Sequence, residues 1–218
     1  MSVFEPRDRR RLWSPIGGGI ALLGIVLLAT VLIVLDGDDP VPGIVRDPAP
    51  SVTGLSFIES SGSEEREDAT LTAPDGGLSL VYFGFLSCPD VCPMTMADIG
   101  VARQRLPDEI NDRIEVAYIT LDPDRDDGPR MLDYLDHFFD DGYRALRAPD
   151  DASLRTAAER LGVTYEIEPH EPDDRDYGVT HSAITYLVDD EGTVVRELPF
   201  GVSAEEFVTA IEASLPDA

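Results

Sequence analysis

The chain has 218 residues, with 43 acidic side chains against 17 basic ones and a formal net charge of −26. A surface this acidic excludes nucleic-acid binding, which needs a basic face to neutralise phosphates. The length fits one main domain with additions.

Residues 1–15 carry Arg7, Arg9, Arg10 and Arg11. Residues 16–35, IGGGIALLGIVLLATVLIVL, follow without a charge. As a helix this run spans about 30 Å, the thickness of a bilayer core. The arginines predict a cytoplasmic N-terminus, and so a single-pass cell-membrane protein with its globular part outside. The run is long for a signal peptide, and Asp36-Gly37-Asp38-Asp39 follows it where a small-residue cleavage site would stand. An uncleaved anchor is therefore expected. Residues 36–53 hold Pro40, Pro42, Pro48 and Pro50 among acids and small residues, and read as an extended tether. The globular domain is expected over 54–218.

Leu55–Ile58 predicts a first short strand, Ser60–Asp68 a polar loop, and Ala69–Leu71 a segment pairing with that strand. A turn at Pro74–Gly77 follows. Leu80–Phe85 is apolar and aromatic, as in a strand buried on both faces. Pro93–Leu106 predicts a helix with Met96, Ile99 and Leu106 inward and Arg103 and Arg105 toward water. Ile114–Leu121 is a second buried strand. Helices are predicted over Gly128–Phe139 and Ala152–Leu161, the latter ended by Gly162. Val163–Ile167 is a short strand and Pro169–Asp176 a loop. His181–Val188 and Thr193–Leu198 form a hairpin across the turn Asp189–Gly192. Ser203 caps a last helix through Leu215, with Glu206 completing a capping box. This order predicts an α/β domain with a central mixed sheet.

The only cysteines, Cys88 and Cys92, lie in the junction Ser87–Pro93 between the first core strand and the first helix. Pro93 suits the first helical position, which puts Cys92 at about the N-cap. A thiol there should be acidified by free N–H groups and the helix dipole. The two sulfurs are expected close enough for a disulfide or a shared metal ion. A cysteine pair after the first core strand, followed by a βα unit and a C-terminal hairpin and helix, is the thioredoxin arrangement. Of the three histidines, His137 reads as a half-exposed helix residue and His170 as a loop residue. In a thioredoxin-like domain the start of the strand beginning at His181 faces the cysteine loop.

Phe83-Gly84-Phe85 before Cys88-Pro89-Asp90-Val91-Cys92-Pro93, then Leu121-Asp122-Pro123-Asp124-Arg125-Asp126, then His181-Ser182-Ala183, closely resembles the Sco/SenC family over about residues 78–215. The resemblance implies a membrane-anchored, thioredoxin-like, three-layer copper protein whose ligands are Cys88, Cys92 and His181. It implies copper as Cu(I) or Cu(II), and a part in assembling the dinuclear copper centre of cytochrome c oxidase. The expected partner is the oxidase's copper-site subunit, beside other copper chaperones or thiol reductants. Two thiolates and an imidazole make a soft site that suits copper, whereas structural zinc wants four ligands. The function expected is copper delivery without turnover. The rival is a thiol–disulfide oxidoreductase that uses Cys88 and Cys92 to reduce the oxidase subunit's copper-ligand cysteines. Met94 and Met96 flank the pair as packing residues or thioether donors. The Asp122–Asp126 segment either shapes the loop beside the site or is a solvated turn.

Overall fold

The computed structural model describes residues 41–216 apart from Ser63 and Pro172. The expected segments 1–15 and 16–35, and the first part of the tether, lie outside these residues. No helix among the described residues is long and apolar enough to cross a membrane.

The chain runs β1 (Phe57–Ser61), β2 (Glu64–Ala69), β3 (Leu78–Gly84), α1 (Val91–Arg105), α2 (Asp108–Asn111), β4 (Ile114–Thr120), α3 (Gly128–Leu135), β5 (Tyr143–Arg147), α4 (Asp151–Leu161), β6 (Tyr165–Ile167), β7 (Val179–His181), β8 (Ile184–Val188), β9 (Val194–Pro199) and α5 (Ala204–Ser214). A mixed sheet of seven strands has the order β2-β1-β5-β4-β3-β8-β9, while β6 and β7 pair separately. The expected central mixed sheet is present. β3 runs parallel to β4 and antiparallel to β8.

Every residue of β3 is buried, because both faces of the strand are covered. Leu80 and Tyr82 share one core with Met96 and Ile99 of α1 and with Phe207 and Ile211 of α5. Val81 and Phe83 share the other with Leu154, Ala157 and Leu161 of α4. Each large apolar side chain buried this way stabilises the fold by about 1.5–3 kcal/mol. The layers are thus helix, sheet, helix. The end of β3 enters the cysteine loop from the best-packed place in the domain.

α1 lies close to the chain after α3. A Cβ added at Gly100 would stand 2.7 Å from the Phe138 carbonyl oxygen. Gly100→Ala should therefore push α1 outward and destabilise the domain by about 1–3 kcal/mol. Chemical denaturation checks this; an unchanged midpoint would mean that α1 shifts freely. The caps match expectation. Gly162 ends α4 at φ +79°, and Ser203 and Glu206 form the full capping box of α5.

Several expectations change. Ser60–Asp68 is not a loop: β1 and β2 form a hairpin there, turning through Gly62 at φ +61°. Glu64–Asp68 face solvent, and charges pair across strands, as Arg147 does with Glu65 and Arg144 with Glu59. β5 was not expected; it pairs parallel with β4 and antiparallel with β1. α3 ends at Leu135, and Phe138 and Phe139 follow in turns whose N–H groups return to the Leu135 carbonyl. The strand expected from His181 to Val188 is broken at Ser182–Ala183 into β7 and β8. Arg103 does not face water. It is 8% exposed and donates to the Asp141 carbonyl (2.6 Å) and to Asn111 (2.9 Å). Residues 41–53 of the expected tether run along the domain. Ile44 bridges to Glu197 and Ser51 to Thr193, and Arg46 donates to the Leu161 carbonyl at 2.8 Å.

Candidate metal centre

β3 delivers Phe85 to a turn in which the Cys88 N–H bonds to the Phe85 carbonyl. α1 then begins at Val91, with Asp90 as N-cap, so Cys92 is the second helical residue and Pro93 the third. This corrects the expected N-cap position of Cys92. The third position suits Pro93 equally, since its missing N–H would have no partner in the first turn. The free N–H of Cys92 points at the Cys88 sulfur, at 3.4 Å. The helix end therefore faces Cys88.

Cys92 is fully buried, packed between β3 and the helices. Burial pushes its thiol up to about 12, against the acidification expected at an N-cap. Both cysteines are free thiols, with Cys88 partly exposed. Two results follow. An alkylating reagent at neutral pH should modify Cys88 well before Cys92, as peptide mapping would read; equal rates would contradict the burial. The second concerns alkaline stability. A thiol whose folded value is raised holds its contribution below the unfolded value, about 9, and loses it as pH rises toward about 12. The reduced protein should weaken over that window.

His181 closes β7 and turns toward the cysteines. Its Nε2 lies 3.5 Å from the Cys92 sulfur, and its Nδ1 lies 3.1 Å from the Ser182 carbonyl oxygen. A carbonyl only accepts, so Nδ1 carries the proton and Nε2 offers its lone pair to the site. Burial lowers the histidine's pKa and favours this neutral form at pH 7. Tyr82 and Phe85 stand edge-on to the ring, with centroids 6.1 and 5.7 Å away. One donor atom from each of Cys88, Cys92 and His181 lies within 4.8 Å of the others. No other group of three or more cysteine, histidine or carboxylate side chains meets this spacing among the described residues. Three soft or borderline donors with one partly exposed side make a low-coordinate site for a soft ion.

His137 is far from this centre in role, its ring held at the Asp133 carbonyl. His170 stacks on Tyr177 at 3.6 Å. Met96 is core packing and fully buried, while Met94 is half exposed on the first turn of α1.

A family model described as SCO1/SenC matches residues 56–215. The chain belongs to the SCO1/SenC family. A SCO2-like protein of Rickettsia prowazekii is 32% identical over 133 residues, covering 61% of this chain and 63% of the relative, so the match spans less than two thirds of that relative's length. Yeast Sco1 with copper bound superposes at a TM-score of 0.62 and 28% identity, covering 75% of this chain and 88% of that one. Bradyrhizobium japonicum ScoI with copper bound gives 0.59 and 27%, covering 73% and 98%. Within the SCO1/SenC frame, the thioredoxin-like arrangement expected for this chain is the fold observed.

The sequence left the Asp122–Asp126 segment open between loop-shaping and solvated turn. Asp122, Arg125 and Asp126 are 1%, 7% and 0% exposed, so it is not a solvated turn. Their burial had no local signal, because their partners come from the cysteine loop and from residues 175–177.

Proposed function

We propose that this protein carries one copper ion through Cys88, Cys92 and His181 and passes it to the dinuclear copper site of cytochrome c oxidase. The observation that carries this reading is the meeting of two thiols and a neutral imidazole at the rim of a rigid sheet. Copper in family members of similar fold supports the choice of metal. The oxidase destination rests on family membership. Anchoring by residues 16–35, with the domain outside the membrane, is part of the same reading and rests on the charge-free run behind four arginines. An alkaline-washed membrane fraction should keep the full chain; release into the wash would remove the anchor.

The test of the carrier is an anaerobic titration of the reduced protein with Cu(I) against a competing chelator. One tight equivalent is expected. Loading must displace thiol protons, the buried Cys92 proton among them, so affinity should climb with pH by at least about tenfold per unit near neutrality. Absence of tight binding would overturn the carrier.

One observation favours a second reading. Cys88 is reachable while Cys92 waits buried behind it. That is an attacking and resolving pair. The Cys88 thiolate would attack a partner's disulfide, forming a mixed disulfide and expelling one partner thiolate. Cys92, once deprotonated, would attack the Cys88 sulfur and release the second partner thiol. The partner gains two electrons and the pair ends as a Cys88–Cys92 disulfide. His181 has no part in that exchange, which makes it the discriminating residue.

A further inference from the structure

The three donors of the centre arrive on two structural units. Cys88 and Cys92 belong to the β3–α1 junction, which is fixed in the core. His181 belongs to the β6–β7 hairpin, which is not hydrogen-bonded into the main sheet. Its direct link to the sheet is the short step through Ser182–Ala183 into β8. The hairpin is tied at the end where His181 pairs with Tyr165, and its far end, at Tyr177, needs a separate hold if the imidazole Nε2 is to keep a fixed distance from a sulfur.

One loop touches both units. The Asp126 carboxylate accepts the Leu86 N–H at 3.0 Å, two residues before Cys88, and the Thr120 hydroxyl at 2.7 Å. Asp122, in the same loop, pairs with Arg125 and accepts the Tyr177 hydroxyl at 2.6 Å. The Arg125 guanidinium carbon lies 3.6 Å from the centre of the Tyr177 ring, and its Nη1 donates to the Tyr177 carbonyl at 2.9 Å. Tyr177 stands four residues before His181, where the hairpin closes through Gly178 and Glu168. A buried ion pair is a weak source of net stability compared with apolar packing, but it is a strong device for fixing register. This one grips the hairpin at the end away from β8.

We infer that the Asp122–Arg125–Tyr177 clamp sets the position of His181 over the cysteines, so that Arg125 is a positioning residue for metal binding. The inference rests on the carrier reading. Arginine is needed because a lysine offers neither the planar face for the Tyr177 ring nor the fork that joins Asp122 to the carbonyl. Asp126 holds the same loop to the cysteine side, so the loop acts as a spacer between the two halves of the centre.

The probe is Cu(II) added to the reduced protein under anaerobic conditions, read by the thiolate-to-copper charge-transfer band and by imidazole nitrogen coupling in pulsed paramagnetic resonance. Cu(I) competition supplies the affinity. Arg125→Lys should keep the sulfur band, lose the nitrogen coupling as His181→Ala does, and bind Cu(I) about 10- to 100-fold more weakly, the range for residues that orient a ligand. Adding Arg125→Lys to His181→Ala should cost little beyond His181→Ala alone, because the two act through one contact. Tyr177→Phe keeps the ring and loses the hydroxyl, and should fall at the low end of that range. Arg144→Met breaks a buried pair to Glu59 and Glu115 in another part of the sheet and serves as the control for general loosening. Wild-type nitrogen coupling and affinity in Arg125→Lys would overturn the inference, as would the same loss in Arg144→Met. A wild-type protein that gives no sulfur band would instead sink the carrier reading, and this inference with it.

Discussion

His181→Ala should weaken Cu(I) binding by at least about 100-fold, or about 2.7 kcal/mol, while leaving the fold intact. The ring is only partly buried and makes one backbone contact, at the Ser182 carbonyl, so its removal costs the core little. What it removes is the single nitrogen donor of the centre. Cys92→Ser should be at least as damaging, because a hydroxyl in a fully buried position replaces a soft sulfur donor with a hard, neutral one. The two variants separate the functional readings. A carrier loses affinity in both. A thiol reductase loses exchange in Cys92→Ser and keeps it in His181→Ala. Binding indifferent to His181 would move the assignment to the reductase, and the reduction potential of the Cys88–Cys92 pair would be the next quantity to measure.

Phe207→Ala should be the most costly single change to the fold among the residues discussed, at about 3–5 kcal/mol. Phe207 is 2% exposed on α5 and belongs to the same core as Met96 and Ile99 of α1. A cavity there loosens the helix that carries Cys92. For a chain of this size the loss corresponds to a fall in Tm of about 10 °C or more. Thermal unfolding of the reduced protein checks it. A fall of only a degree or two would mean that α5 collapses onto α1, and that the helix layer is softer than its burial suggests.

The sequence told most where chemistry and packing are local. The β3 run is apolar without a break, so its double burial could be read directly. The cysteines and Pro93 marked the strand-to-helix junction. Ser203 with Glu206, and Gly162, marked helix ends through their own side chains or backbone. Long-range partners were harder to read. β5 is Tyr-Arg-Ala-Leu-Arg, and its arginines become strand residues only because Glu59, Glu115 and Glu65 stand on neighbouring strands and on the hairpin. The β1–β2 hairpin looks like a polar loop for the same reason. Arg103 follows a helical period that points it outward, yet the chain at 141–142 comes back to meet it. For Cys92, a shift of two positions along α1 moved the sulfur from the helix end into the core and reversed the expected direction of its acidity. His181 was placed correctly opposite the thiols, but the Asp122–Arg125 clamp that reaches its hairpin depends on tertiary contacts alone.

The sequence distances within the centre carry a consequence for the order of folding. Cys88 and Cys92 are four residues apart, while Cys92 and His181 are separated by 89. A chain that has formed only its first βα unit owns a dithiol and nothing more. The third donor arrives after four further strands and three more helices have been laid down. On the carrier reading, full affinity is therefore a property of the completed domain, and a bound ion would stabilise that state over the partly folded ones. On that reading a metal held by all three groups is, in effect, a late seal on maturation: a chain whose His181 is not yet in place lacks one of the three donors that the finished domain offers.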